Sequence, residues 1–124
     1  MPKALIVDDS AVERTIIAKV MTALGYTIVE ANDGEEGEAK AIALKPDIIV
    51  LDVVMPKKDG FQVCRNLKKM PETAKIPVIM ITSKNQDSDK FWGMKQGAIA
   101  YLVKPFNEED LVSAVNKAKA MAAS

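Results

Sequence analysis

Short apolar runs alternate along the chain with longer segments in which apolar residues recur at helical spacing. The central run is Ile48-Ile49-Val50-Leu51, in which four large aliphatic residues follow one another and three are β-branched. An unbroken run of this kind predicts a strand that is buried on both faces, as in the middle of a parallel sheet. Four further runs predict strands over residues 4–7, 27–29, 78–81 and 100–103.

Each predicted strand is followed by a segment with the signals of a helix. Ser10 and Glu13 have the spacing of a capping box at the start of the first helix. Asn32 lies three residues before Glu35, so Asn32 is predicted to cap the second helix, and Asp59 is predicted to cap the third. The fourth helix is predicted to end near residue 97, and the fifth helix is predicted to begin near residue 107. Residues 120–124 are expected to fray.

The order of these elements predicts the fold class. Five strands that alternate with five helices imply an α/β fold, in which one doubly wound parallel sheet is covered by helices on both faces through right-handed crossovers. A chain of 124 residues is long enough to bury one core but too short for a second. We therefore expect a single domain over residues 1–124, with no separate output domain.

Composition excludes several classes of function. Seventeen basic residues balance seventeen acidic ones, so the chain lacks the basic surface expected of a nucleic-acid binder. It contains no histidine, which excludes Ser-His-Asp catalysis, histidine-assisted cysteine chemistry and phosphotransfer from a histidine of its own. Its one cysteine, Cys64, is predicted to be a small buried hydrophobe on a helix. No apolar run approaches the length that spans a bilayer and no secretion signal is visible, so we expect a cytoplasmic protein.

Polar side chains end four of the five predicted strands. Asp8 and Asp9 follow the first strand, Asp52 follows the third, Thr82 closes the fourth and Lys104 follows the fifth. Taken singly, each has an ordinary explanation, since an acid often caps the next helix and a lysine before a proline is usually solvated. Because the carboxyl ends of parallel strands meet at one edge of the sheet, where ligands bind in open α/β folds, the set predicts a shared site.

Three neighbouring carboxylates need a positive charge beside them. They repel one another unless a cation neutralises them, and an oxygen-only set of ligands suits Mg²⁺ better than zinc, which prefers nitrogen and sulfur. A carboxylate beside Mg²⁺ and the ammonium of Lys104 is arranged to attack phosphorus and form an aspartyl phosphate. Thr82 is a candidate donor of a hydrogen bond to a phosphoryl oxygen.

These residues resemble the signature of the response-regulator receiver domain, the CheY-like family, over the whole chain. The resemblance implies the strand order 2-1-3-4-5 and assigns Asp52 as the phosphoacceptor. It also implies that Mg²⁺ is bound by Asp8, Asp9, Asp52 and the backbone carbonyl of Val54, and that Lys104 pairs with the phosphoryl group. The matching motifs are Asp8-Asp9, Asp52, the segment 55–60, Thr82 and Lys104-Pro105-Phe106.

The same resemblance implies a switch and two kinds of partner. Thr82 and Tyr101 match the family's switch pair, in which the hydroxyl moves to the phosphate and the aromatic ring follows inward. The phosphodonor would be a histidine kinase, and the face formed by the fourth helix, fifth strand and fifth helix would bind a downstream effector protein. A narrower similarity, to PilH-type regulators of chemotaxis-like systems for type IV pilus motility or phototaxis, rests on Gln86, Asp89-Lys90, Trp92-Gly93 and Gln96-Gly97-Ala98.

Two alternatives accompany this interpretation. A phosphatase of the haloacid-dehalogenase type also forms an aspartyl phosphate, but it needs a second acid two residues after the nucleophile, where this chain has Val54. A phosphate sink or relay intermediate without its own effector has the same sequence requirements as a signalling switch, so the sequence leaves it open. The sequence also leaves open whether Trp92 packs in the core or is exposed on an interaction face.

Overall fold

The computed structural model describes residues 1–122, and strands and helices alternate strictly along that part of the chain. The strands are Lys3–Val7 (β1), Thr27–Ala31 (β2), Ile48–Leu51 (β3), Val78–Thr82 (β4) and Ala100–Val103 (β5). The helices are Ala11–Ala23 (α1), Gly34–Leu44 (α2), Gly60–Lys69 (α3), Asp87–Lys95 (α4) and Glu108–Ala122 (α5). Among these described residues, no helix has the length and apolar character needed to cross a bilayer.

The five strands form one parallel sheet in the order β2-β1-β3-β4-β5, which confirms the predicted fold class and strand order. Side chains of the central strand alternate between its two faces. Ile48 and Val50 pack with α1 and α5, whereas Ile49 and Leu51 pack with α2 and α3. Both faces of β3 are therefore covered, which explains why its sequence is continuously aliphatic.

The start of the second helix differs from the sequence prediction. The N-cap of α2 is Asp33, whose carboxylate accepts a hydrogen bond of 2.8 Å from the amide of Glu36, so the prediction of Asn32 as the cap is wrong. The backbone amide of Asn32 instead donates a hydrogen bond to the Glu36 carboxylate. The cap lies one residue later because β2 continues to Ala31, two residues beyond the predicted end of this strand. The predicted caps of α1 and α3, Ser10 and Asp59, are confirmed.

Three other predictions can be compared with the structure. Cys64 is fully buried, as predicted, and burial raises the pKa of its thiol to about 11. The apolar pattern of the first helix includes Val12 and Ile16, yet these two side chains are exposed on α1. Fraying was predicted for residues 120–124, but α5 includes residues 120–122, and residues 123–124 lie outside the described part of the chain.

Candidate functional site

The strand register brings the predicted site residues to one edge of the sheet. Val7 at the end of β1 lies opposite Leu51 at the end of β3, so the next residues, Asp8 and Asp52, are neighbours. The amide of Asp52 donates to the carbonyl of Val7 at 2.9 Å, which continues the ladder by one hydrogen bond. The backbone amide of Lys104 likewise donates to the carbonyl of Thr82, which continues the pairing of β4 with β5.

The three predicted carboxylates form a compact cluster. One oxygen each from Asp8, Asp9 and Asp52 lies within 4.8 Å of the others. Asp8 and Asp52 are buried, whereas Asp9 is exposed. Burial of two carboxylates is unfavourable unless positive charge or hydrogen-bond donors compensate them. The donor set is made of oxygen atoms alone and is open to solvent on the side of Asp9, which fits a hard divalent cation such as Mg²⁺.

Lys104 supplies positive charge to the buried pair. Its Nζ donates to Oδ2 of Asp8 at 2.7 Å and to Oδ2 of Asp52 at 3.2 Å. Burial alone would lower the pKa of Lys104, but the hydrogen bond to Asp8 and the charges of both carboxylates outweigh burial and raise it. The ammonium therefore stays protonated at neutral pH and faces the oxygen of Asp52 on which the predicted chemistry depends.

Backbone amides orient the same two carboxylates. Oδ1 of Asp52 accepts hydrogen bonds from the amides of Val53, at 2.7 Å, and Val54, at 3.3 Å. Oδ1 of Asp8 accepts from the amide of Ser10 at 2.9 Å. In each carboxylate one oxygen is thus fixed by the backbone, and the other oxygen is directed toward Lys104.

The loop after β3 supports Asp52 through a close backbone approach. Gly60, the first residue of α3, donates its amide to the carbonyl of Val53 at 2.9 Å. A β-carbon at Gly60 would overlap the carbonyl oxygen of Asp52 and would lie 2.8 Å from the Cα of Val53. Glycine at this position therefore allows the start of α3 to lie directly against the backbone of Asp52. The sequence indicates this glycine only as part of the motif 55–60.

Lys84 joins the two predicted switch residues. Its amide donates to Oγ1 of Thr82 at 3.4 Å, and its carbonyl accepts a hydrogen bond of 2.9 Å from the hydroxyl of Tyr101. Thr82 and Tyr101 are both buried. Burial, together with the charges of Asp89 and Asp52, raises the pKa of Tyr101 to about 12. The Tyr101 ring thus already has the inward position that the resemblance associates with the phosphorylated state.

The exposed surface near the site includes two further residues of interest. The side chain of Val54 is 54% exposed, two residues after Asp52. Trp92 on α4 is 45% exposed and lines a groove of about 440 Å³ together with Phe61 and Arg65 of α3. The sequence left open whether Trp92 packs in the core or is exposed, and the structure shows that it is exposed.

The sequence and the fold have counterparts in a known family. Residues 4–116 match the response regulator receiver domain, and the chain therefore belongs to this family of signalling proteins. Protein PilH of Pseudomonas aeruginosa is 44% identical over 116 residues, which cover 94% of this chain and 96% of PilH. The transcriptional regulator RpaA of Synechocystis is 42% identical over 93% of this chain, which spans only 48% of the length of RpaA.

Solved structures show the same architecture. The chemotaxis protein CheY4 of Vibrio cholerae has a TM-score of 0.86 and 34% identity, with coverage of 95% of this chain and 98% of CheY4. A chain from the CheX-CheY-BeF3-Mg complex of Borrelia burgdorferi has a TM-score of 0.86 and 29% identity, with coverage of 94% of this chain and 87% of that chain. The chain is thus similar to receiver domains in both its sequence and its fold.

Proposed function

We propose that this protein is a response regulator that accepts a phosphoryl group on Asp52 from a histidine kinase and then changes its binding to a partner protein. The observation that carries the proposal is the pair of hydrogen bonds from Nζ of Lys104 to Asp8 and Asp52, beside the third carboxylate of Asp9. This arrangement brings three carboxylates and an ammonium to one point of the sheet edge, which supports the proposed roles of Asp52 as nucleophile and of the carboxylates as metal ligands.

The proposed reaction transfers the phosphoryl group without other covalent change. Oδ2 of Asp52 attacks phosphorus, the bond from phosphorus to the kinase histidine breaks, and its electron pair returns to the histidine nitrogen. Lys104 meets the negative charge of the incoming group and remains paired with Asp8. Asp8, Asp9, Asp52 and the Val54 carbonyl would hold Mg²⁺, which supplies further positive charge to the phosphoryl oxygens when it is bound.

The proposed output is a change in the face formed by α4, β5 and α5. Phosphorylation adds about 1.5 to 2 negative charges at an acidic site. Thr82 would donate its hydroxyl to a phosphoryl oxygen, and Lys84 transmits the change because it is bonded to both Thr82 and Tyr101. With a phosphoryl mimic, the amide signals of residues 83–106 should shift, and unchanged signals would contradict this coupling.

The pathway is proposed from similarity to PilH. We propose a role in a chemotaxis-like system that controls type IV pilus motility or phototaxis, with a phosphate sink as the alternative. A pull-down that compares phosphorylated and unphosphorylated protein separates the two, because an effector should bind one form preferentially and a sink has no such partner. The phosphatase alternative has less support, since the apolar side chain of Val54 offers no group to shuttle a proton.

Phosphotransfer should depend on Mg²⁺ and on Asp9. Purified protein incubated with phosphorylated histidine kinases from the same genome should take up label in Mg²⁺ and none in chelator. Asp9→Ala should raise the Mg²⁺ concentration for half-maximal labelling at least about tenfold, because even groups that only support a metal ligand contribute that much. Glu72→Ala, which removes an exposed acid outside the cluster, is the control. Undiminished labelling of wild type in chelator would refute the metal assignment.

The lifetime of the phosphorylated form should depend on residue 54. Attack by water needs a group that orients the water in line with phosphorus, and the exposed side chain of Val54 has none. The side-chain ammonium of Lys84 only donates hydrogen bonds and is paired with Asp89, so it does not accept a proton from water. Val54→Asn should shorten the lifetime severalfold, whereas Val54→Leu should not. The decay of label after removal of the kinase measures this, and equal decay of the wild type and Val54→Asn would show that residue 54 does not set the rate.

A further inference from the structure

Gly93 lies inside α4, where glycine is an unfavourable residue. The helix extends from Asp87 to Lys95, so Gly93 is followed by two more helical residues and does not serve as the C-cap, which is Gln96. Glycine inside a helix loses more backbone freedom on folding than alanine does, and it buries no side chain. Gly93 is nevertheless the one buried residue of α4. We therefore expect the packing around residue 93 to explain why a glycine is present there.

The reason is the ring of Tyr101. A β-carbon at Gly93 would lie 2.7 Å from Cδ2 and 2.9 Å from Cε2 of Tyr101, and 2.9 Å from Sδ of Met80. These distances are well below those of ordinary carbon contacts. The Met80 sulfur belongs to a flexible side chain, but the Tyr101 ring is rigid and its hydroxyl is tied to the carbonyl of Lys84 at 2.9 Å. The buried ring therefore occupies the space that any side chain at residue 93 would need.

We propose that Gly93 is a positioning residue of the switch, because its missing side chain is what permits the buried position of Tyr101. The inference rests on the proposed function and on the switch that the family resemblance implies, in which the Tyr101 ring leaves an outward position for a buried one when Asp52 is phosphorylated. Gly93 on α4 then influences the equilibrium between the buried and the exposed position of the Tyr101 ring. Thr82 and Lys84 influence the same equilibrium through their contacts near the phosphorylation site.

Thermodynamic linkage gives this proposal a consequence at Asp52. If phosphorylation shifts the ring equilibrium toward the buried position by a certain factor, the protein with the buried ring binds a phosphoryl group or its mimic more tightly than the protein with the exposed ring by the same factor. A substitution that expels the ring must therefore weaken this binding, by up to that factor. Gly93→Ala should therefore lower the affinity for beryllofluoride in Mg²⁺, although residue 93 contributes no ligand to the acidic cluster. The chemistry itself is unaltered, so kinase label should still reach Asp52 in this variant.

The test uses the full chain with 3-fluorotyrosine and ¹⁹F NMR. The chain contains two tyrosines, and Tyr26→Phe assigns the two signals. In Gly93→Ala the Tyr101 signal should move to the position of a solvent-exposed ring without any ligand. The beryllofluoride concentration for half saturation, followed by ¹H–¹⁵N spectra at a fixed Mg²⁺ concentration, should rise about tenfold. Thermal unfolding shows that each variant is folded.

A double-mutant cycle separates the ring from other effects of the new methyl group. With Tyr101→Ala no ring remains to be displaced and Met80 gains room, so adding Gly93→Ala should leave beryllofluoride affinity unchanged. An equal loss of affinity with and without the ring would overturn the proposal, as would a Tyr101 signal that stays in place in Gly93→Ala. If wild type binds no beryllofluoride, the proposed function fails, and the ¹⁹F signal of the unliganded variant still decides the role of Gly93.

Discussion

Asp52→Asn is expected to abolish labelling by a phosphorylated kinase, with a loss of at least about a hundredfold, while the fold is retained. The substitution replaces the anionic Oδ2 that faces Lys104 with an uncharged amide group, so the nucleophile is gone. The other oxygen can keep its hydrogen bond from the amide of Val53, and Lys104 keeps its stronger contact, at 2.7 Å, with Asp8. The packing around the site is therefore preserved although the reaction is not.

The matched control for this variant is Asp47→Asn, because Asp47 precedes the same strand that Asp52 follows. Asp47 lies at the opposite edge of the sheet, where its carboxylate accepts a hydrogen bond of 2.7 Å from the backbone amide of Lys3. The same chemical change there should leave labelling at the wild-type level. Mass spectrometry of the labelled protein should place the phosphoryl group on Asp52, and label retained by Asp52→Asn would refute the assignment of the phosphoacceptor.

Gly60→Ala is expected to lower the free energy of unfolding by about 3 kcal/mol, near the upper end of what overpacking usually costs. The new methyl group would meet backbone atoms of Asp52 and Val53, which directly follow the central strand and are buried, so they have little freedom to move. Relief of the overlap requires the start of α3 to shift away from the site. We therefore also expect the variant to need more Mg²⁺ for half-maximal labelling than the wild type. Denaturant unfolding and labelling against Mg²⁺ concentration measure the two effects.

Gly25→Ala is the control that separates overlap from backbone strain. Gly25 has a φ of +96°, but a β-carbon there would meet nothing within 4 Å. Its substitution should cost only the strain of a left-handed conformation, about 1–2 kcal/mol, and should leave labelling unchanged. If Gly60→Ala were no less stable than Gly25→Ala and labelled normally, close approach of α3 to Asp52 would not matter for the site.

Much of the fold followed from the sequence because the decisive signals are local. The unbroken aliphatic runs at residues 48–51 and 78–81 predict strands that are buried on both faces, and the structure places both in the sheet interior. The cap of α2 was missed because two candidate residues, Asn32 and Asp33, are adjacent. Which of them caps the helix depends on where β2 ends, and pairing with β1 sets that end at Ala31.

The fold class and the residues that make up the candidate site follow from the sequence. Continuous apolar runs specify a parallel sheet, and such a sheet brings the carboxyl ends of its strands, and with them Asp8, Asp52 and Lys104, to one edge. The contacts between residues far apart in the chain become visible only in the folded protein. Lys104 bonds to Asp8 across 96 positions, and the Tyr101 ring fills the space beside Gly93. Such contacts depend on distances of a few tenths of an ångström, which the packing of helices on the sheet sets and which local periodicity does not encode.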